Sequence, residues 1–232
     1  MYSVTPSTRA RLSSVVLPVV WSVALLLTLP LTASAQYFGR NKVQYEEFDF
    51  KVLTTQNWDI HYYPEAQDAI EDIARMTERW YERFARSFQH EFEQKKPLVI
   101  YADHPDFQQT NTLSGAIGQG TGGVTESLKN RVIMPLAQSY RETDAILGHE
   151  LVHAFQYNIA QTRTGGGIIA LSRLPLWLIE GTAEYMSLGR EHPLTAMWLR
   201  DHILRDEKPD LSEITRNPRY FAYRFGQGII SY

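Results

Sequence analysis

The chain has 232 residues, of which 44% are hydrophobic and 12% aromatic, enough apolar material for one domain with a hydrophobic core or for two small ones. Its 23 basic and 26 acidic residues are spread along the chain with a net charge of −3, so we expect no nucleic-acid partner. Because the sequence has no cysteine, disulfides, lipoprotein acylation and thiolate metal ligands are excluded, and a metal site would need histidines and carboxylates.

The first 35 residues are typical of a secretory signal peptide. Basic residues come first, an apolar run follows and small residues end the segment: Arg9 and Arg11, then Val15–Leu31, then Ala33-Ser34-Ala35. The alternative is an uncleaved anchor helix, but Pro18 and Pro30 shorten the apolar run. We therefore expect cleavage after Ala35 and one exported domain over residues 36–232, periplasmic or extracellular, with no membrane partner after cleavage.

The first half of the expected mature chain predicts strands and one long helix. Alternating residues predict a strand over Trp58–Tyr63, and short apolar runs predict two more, at Pro97–Tyr101 and Arg131–Pro135. Apolar residues three and four positions apart predict an amphipathic helix over Glu65–Glu93. Five glycines within Gly115–Gly123 predict a loop or an irregular edge.

The second half predicts helices almost throughout. They are expected over Thr143–Tyr157, Pro175–Leu188, Pro193–Arg205 and about Tyr220–Tyr232, with a glycine-rich loop at Thr164–Gly167. This order of elements predicts an α+β domain. The last apolar stretch has no closing polar segment, glycine or proline, which indicates the front part of a longer protein.

The strongest chemical signal is the motif HELVH at His149–His153, an H-E-x-x-H pattern on a predicted helix. A four-residue step turns a helix by about 400°, so both imidazoles lie on one face, one turn apart, and can bind the same ion. A random chain of this length contains the pattern in roughly one case in a hundred or fewer.

The other face of that helix is apolar and predicts burial of the motif. It carries Leu147, Leu151, Ala154 and Phe155, which would pack on a core. Burying two imidazoles and a carboxylate costs on the order of several kcal/mol unless charge or hydrogen bonds satisfy them. A divalent cation does so directly. The alternative is an exposed face on which these groups are only solvated.

A two-histidine site needs a third ligand, and the segment PLWLIEGTAEY at Pro175–Tyr185 offers one. Two acids stand one turn apart there, Glu180 and Glu184, and their like charges repel unless a cation lies nearby. We assign Glu180 as the ligand and expect Glu184 to hydrogen-bond the outer nitrogen of one ligating histidine. The alternative is two surface acids with a snorkelling lysine partner, but no basic residue lies within a turn of them.

The pair HELVH and WLIEGTAEY resembles the zincin metallopeptidases of the gluzincin branch. It is most similar to the peptidase MA-like domains at the front of exported bacterial proteins, some of which continue into a TolB-type β-propeller. The resemblance covers most of the expected mature chain. It implies the zincin fold: a twisted sheet with one edge along the cleft, an active-site helix beneath it and a helical second half.

The resemblance also implies a cofactor, a substrate and two catalytic groups. One Zn²⁺ per chain is expected on His149, His153 and Glu180, and peptides or unfolded proteins are the expected substrates. Glu150 is the expected general base for a zinc-activated water and does not bind the metal. Tyr223 is our candidate for stabilising the oxyanion, with ordinary core packing as the alternative.

Substrate-binding residues are expected ahead of the motif. Gly122, Gly123 and Val124 occupy the spacing of a substrate-binding strand in related aminopeptidases, and an extended peptide could pair with that edge. A flexible glycine loop is the alternative. Thr125 replaces the glutamate that would hold a free N-terminus, with Glu126 at the next position.

Two other classes of function remain open at this point. One is a binding or scaffold module that keeps the fold, and with it the metal, beside a propeller or another partner without turnover. The other is a helical structural domain with accidental histidine and glutamate placements, which zinc analysis would distinguish. The remaining histidines show no paired spacing, and we expect them to be structural or exposed: His61, His90, His104, His192 and His202.

Overall fold

A computed structural model of the chain describes residues 42–113 and 115–232. The signal peptide predicted for residues 1–35 lies outside the described residues, and the domain limits stay predictions. Within the described part the protein is α+β, as its order of elements predicted.

Strands and helices follow one another in the first half, and helices fill the second. In chain order they are β1 Lys51–Thr54, β2 Trp58–Tyr62, a 3₁₀ helix Pro64–Ala69, α1 Ile70–Phe88, β3 Lys96–Tyr101, α2 His104–Gln108, β4 Val124–Glu126, β5 Arg131–Pro135, α3 Tyr140–Thr164, α4 Gly167–Leu171, α5 Leu176–Leu188, α6 Pro193–Leu204, α7 Leu211–Arg216 and α8 Ala222–Ser231. Among these helices, none combines the length and the apolar character that crossing a bilayer requires.

The sheet is mixed, with β4 at one edge. Its strand order is β1-β2-β3-β5-β4, with β2, β3 and β5 parallel to one another. The outer pairs, β1 with β2 and β4 with β5, are antiparallel. The short strand β4 therefore has one side paired with β5 and, within the described residues, the other side free of a neighbouring strand.

The main core lies between the sheet and two long helices, α1 and α3. Strands β2 and β3 contribute Ile60 and Leu98, and α1 contributes Phe84, all with 0% of their surface exposed. The apolar face predicted for the HELVH helix is buried as expected, since Leu147, Leu151, Ala154 and Phe155 are also 0% exposed. Packing of α3 on the sheet therefore fixes which way its opposite face points.

The helix limits differ from the predicted ones at several ends. The segment predicted as one helix over Glu65–Glu93 starts as a 3₁₀ helix and ends at Phe88, because Gln89 adopts a left-handed conformation with φ of 49°. Helix α3 is longer than predicted at both ends. Its N-terminus is capped at Ser139, whose side chain accepts a hydrogen bond from the Glu142 N–H.

Sequence period predicted none of five short elements: β1, α2, β4, α4 and α7. Each has six or fewer residues. Elements of this length are too short for their apolar residues to establish a helical or strand period.

Helices α5 and α8 cross with their backbones in direct contact. A Cβ atom at Gly181 of α5 would overlap the backbone of Gly226 in α8, and one at Gly226 would overlap the carbonyl of Trp177. Only glycine on both helices permits this approach. The crossing presents the residues that precede Gly226 to the helix that carries Glu180.

We therefore predict that Gly226→Ala destabilises the protein by about 1–3 kcal/mol, because the added methyl group meets backbone atoms that have no side-chain rotamer to change. Gly228→Ala, in the same helix, is the matched control. Its Cβ would lie 2.7 Å from Cδ1 of Leu199, a flexible side chain, and the helix gains propensity from alanine. Urea unfolding measures both. Equal stability of Gly226→Ala and wild type would contradict the crossing described above.

Candidate metal centre

Helix α3 presents His149 and His153 from one face, one turn apart. Their Nε2 atoms are 3.1 Å from each other, and the two rings meet at 78°. This follows from the four-residue spacing, since the side chains of residues i and i+4 lie one above the other on a helix. Both imidazoles therefore point at one common position.

Helix α5 brings Glu180 to the same position. Its Oε2 atom is 3.3 Å from Nε2 of His149 and 3.2 Å from Nε2 of His153. The three side chains are only 10–13% exposed. Among the described residues, none forms a hydrogen bond with the buried Oε2 atom. A buried carboxylate oxygen without a hydrogen bond needs a positively charged group or a cation beside it.

These three atoms have the spacing of zinc ligands. With zinc–ligand bonds of about 2.0–2.1 Å, a tetrahedral site holds its ligand atoms roughly 3.3–3.4 Å apart. The observed separations are 3.1, 3.2 and 3.3 Å. Imidazole nitrogen and carboxylate oxygen are donors that Zn²⁺ accepts. The group formed by His149, His153 and Glu180 could therefore hold one ion.

The charges of this group determine its protonation. Burial lowers the pKa of His149, but the carboxylates of Glu180 and Glu184 outweigh burial and raise that pKa to about 10. Burial raises the pKa of Glu180, but His149 and His153 outweigh it and lower that pKa to about 2. Glu180 is thus ionised at neutral pH, and its carboxylate raises the pKa of His153 as well as that of His149. A divalent cation can replace their protons at the centre of the group.

The outer nitrogens of both histidines have partners. Oε1 of Glu184 lies 3.2 Å from Nδ1 of His149, the position expected for it from the sequence. Nδ1 of His153 lies 2.8 Å from Oε1 of Gln156, whose amide donates to the Ile179 carbonyl of α5. Oxygen partners on Nδ1 hold the proton there and leave Nε2 as the atom that can bind a metal. The role of Gln156 was missed, although its three-residue spacing from His153 could have indicated it.

Helix α8 places the positively charged side chain of Arg224 next to Glu184. Arg224 donates from Nη1 to Oε2 of Glu184, so that Glu184 lies between an arginine and an imidazole. No basic residue lies within one turn of Glu184 in the sequence, and its partner Arg224 is 40 residues away in the chain. Arg224 follows Tyr223 in a mostly apolar helix, and this position could have indicated a buried ion pair.

Tyr223 lies against the candidate metal ligands. Its ring stacks on His149, with centroids 5.8 Å apart and the planes 9° from parallel. Burial raises the pKa of the Tyr223 hydroxyl, and the negative charge of Glu180 raises it further. The hydroxyl therefore keeps its proton at neutral pH and can act as a donor.

A cavity of about 620 Å³ has one of the three candidate ligands, His149, in its wall. Its walls include His149, Glu150, Tyr223 and, from the substrate-binding residues expected from the sequence, Gly122 and Gly123. Val124, the third of those residues, is partly buried and packs against a separate apolar cluster around Phe107. The base candidate and the oxyanion candidate therefore face the same space.

His192 also lines this cavity. We expected a structural or exposed position for it, because it shows no paired spacing. Its Nδ1 atom is buried and has no hydrogen-bond partner among the described residues. No spacing to another chemical group in the sequence indicated its place in the cavity wall.

The two residues after Val124, Thr125 and Glu126, form hydrogen bonds with other side chains. Thr125 turns towards α3 and hydrogen-bonds Glu150. The carboxylate of Glu126 accepts a 2.8 Å hydrogen bond from Nε of Arg131 on the adjacent strand β5. Strand β4 therefore presents no unpaired carboxylate to the cavity.

Comparison with known proteins assigns no family. No family model matches the chain, and no curated protein matches its sequence. The resemblance to the gluzincins thus rests on HELVH, on WLIEGTAEY and on the side chains that these two segments bring together.

We predict that the purified wild-type protein holds one zinc ion per chain and that Glu180→Gln holds much less. The amide keeps the shape of the side chain but lacks the negative charge that the divalent ion requires. His61→Ala, a strand histidine outside the group, is the matched control and should retain its zinc. Elemental analysis without chelators measures the content. Zinc far below one per wild-type chain would favour accidental placement of these residues.

Proposed function

We propose that this protein is an exported zinc-dependent peptidase of the zincin type. The observation that carries the proposal is the triangle of His149 Nε2, His153 Nε2 and Glu180 Oε2, 3.1–3.3 Å on each side, beside a cavity that Glu150 also lines. Structural zinc sites in proteins close with four protein ligands, whereas catalytic sites use three and keep one position open. Three candidate ligands, of which His149 also lines a cavity, support the catalytic kind.

The zincin fold is part of this proposal. The sheet ends in the short edge strand β4, and the glycines that precede β4 border the cavity. Helix α3, which carries HELVH, packs on the sheet, and the chain after it is helical. These features support an active-site helix below an edge strand, which is the arrangement that the gluzincin resemblance implies.

Bound zinc supplies Lewis acidity, which polarises a peptide carbonyl and makes water a nucleophile at neutral pH. Glu150 accepts a proton from the attacking water and donates it to the departing amine nitrogen as the peptide bond breaks. Glu184 and Gln156 keep the two histidines oriented. Tyr223 donates a hydrogen bond to the oxyanion that develops from the carbonyl oxygen.

An extended peptide is the substrate that this cavity supports best. The edge of β4 that pairs with no strand among the described residues offers main-chain groups for strand addition, and Gly122 and Gly123, which precede β4, line the cavity. The carboxylate of Glu126 is paired with Arg131, and Thr125 contacts Glu150, so β4 offers nothing that would hold a terminal ammonium group. We therefore propose cleavage of internal peptide bonds rather than removal of N-terminal residues.

We predict that Glu150→Gln binds zinc as wild type does but no longer cleaves an unfolded protein. Glutamine keeps the size of the side chain and cannot take up the proton of the attacking water. Glu142→Gln, in the exposed first turn of the same helix, is the matched control and should stay active. Cleavage of a denatured protein by electrophoresis, with zinc analysis of the same samples, measures both properties.

Two outcomes would contradict that prediction in different ways. Undiminished cleavage by Glu150→Gln would exclude Glu150 as the base. If both proteins hold zinc and neither cleaves any member of a broad peptide library, the protein is a binding or scaffold module with the metal but without turnover.

For Tyr223→Phe we expect kcat to fall by about 100- to 1,000-fold with little change in KM, because the lost hydroxyl acts on the transition state and not on the bound substrate. Tyr220→Phe is the control. The Tyr220 hydroxyl donates to Glu213 in a separate cluster and should not affect turnover. Steady-state kinetics on a fluorogenic peptide separates the two parameters. An unchanged kcat would assign Tyr223 a packing role against His149.

A further inference from the structure

The side chain of Glu150 is held by strand β4. Thr125 Oγ1 lies 2.7 Å from Oε2 of Glu150 and 2.8 Å from its backbone carbonyl oxygen. Both residues are buried, with 8% and 6% of their surfaces exposed. The threonine hydroxyl has a single proton, and at these distances the two oxygens share it in a three-centre hydrogen bond that holds the carboxylate to the turn of helix from which it projects.

Gly123 limits Glu150 from another direction. A Cβ atom at Gly123 would lie 2.9 Å from Cγ and 3.2 Å from Oε1 of Glu150, so the glycine backbone is packed directly against this side chain. Among the described residues, none hydrogen-bonds Oε1, and both Glu150 and Gly123 line the cavity. The two carboxylate oxygens thus differ: Oε2 is held by Thr125, and Oε1 is free for another partner.

We propose that Thr125 is a positioning residue that anchors Oε2 of Glu150 and thereby directs Oε1 into the cavity as the oxygen that carries the proton. This inference rests on the proposed peptidase function and deepens it. Thr125 is placed by β4 itself, since it pairs with Val132 of β5 in the antiparallel ladder.

A hydroxyl donor suits both states of a general base. When Glu150 is ionised, Oε2 accepts the hydrogen bond from Thr125. When Oε1 has taken the proton of the attacking water, Oε2 is the carbonyl oxygen of the acid and still accepts from Thr125. The anchor therefore persists while the proton moves from water to Oε1 and from Oε1 to the amine nitrogen. Without it the carboxylate can rotate about its last torsion, which has a broad energy profile, and productive orientations become less frequent.

The test uses three variants of the full chain. Thr125→Val keeps the size and branching of the side chain and removes the hydroxyl, whereas Thr125→Ser keeps the hydroxyl. Thr77→Val is the matched control, because Thr77 is also buried and its hydroxyl donates only to the Ile73 carbonyl within α1. All three are compared with wild type for zinc content, for kcat and KM on one peptide, and for melting temperature.

We expect Thr125→Val to lose about 10- to 100-fold in kcat with KM within about twofold of wild type and with full zinc content. Thr125→Ser and Thr77→Val should keep kcat within about threefold of wild type. Thr77→Val loses a buried hydrogen bond as well, so a kcat loss equal to that of Thr125→Val would indicate a general effect of stability and overturn the proposal. Equal losses in Thr125→Ser and Thr125→Val would overturn it too.

A melting experiment on the zinc-free protein gives a readout that does not depend on turnover. The decrease in melting temperature caused by Thr125→Val should be smaller in a Glu150→Ala background than in wild type, because part of the lost contact is already absent there. Equal decreases in both backgrounds would show that the hydroxyl does not hold the carboxylate.

The outcomes also separate this inference from the function beneath it. Active wild type with an equally active, zinc-loaded Thr125→Val overturns the positioning role alone. A wild type that binds zinc and cleaves nothing overturns the peptidase function, and the catalytic role of Thr125 with it.

Discussion

The structure around the candidate site depends on one interaction, the convergence of the buried Glu180 carboxylate with two imidazoles of α3. An ionised carboxylate removed from water carries a desolvation cost of several kcal/mol, on the order expected for a single buried charge. Positive charge between α3 and α5 offsets that cost, whether protons on His149 and His153 or a divalent cation supplies it. Because the ligands come from both helices, binding an ion there would also stabilise their packing.

Helix α8 completes the surroundings of this interaction through its backbone contact with α5. The close approach at Gly181 and Gly226 leaves no room for a side chain between the helices. It lets two consecutive residues of α8 reach the same histidine by different routes: Tyr223 stacks on the ring of His149, and Arg224 contacts Glu184, which contacts Nδ1 of that ring. One helix crossing thus supplies both a hydroxyl donor and a charge that fixes a supporting carboxylate.

Sequence period explains which parts of this arrangement were predictable. His149 with His153, and Glu180 with Glu184, are each one helical turn apart, so local geometry alone places each pair on one face. Arg224 and Thr125 meet their partners across 40 and 25 residues, where no local period applies and only the packed fold brings the side chains together. Sequence period did not predict strand β4 for a related reason. The strand has only three residues, too few to show alternation, and it follows a glycine-rich segment.

The register of β4 links the sheet to the catalytic chemistry proposed for α3. Thr125 is the buried residue of the strand, while its neighbours Val124 and Glu126 are less buried and, by alternation, face the other way. A slip of one residue would turn Glu126 or Val124 towards Glu150, giving either two adjacent carboxylates or a base without an anchor. The hydrogen bond between Arg131 and Glu126 on the opposite face opposes such a slip. Thr125 of β4 orients Glu150, and a peptide added to β4 would align with that same strand. Strand β4 would therefore position both the substrate and the base.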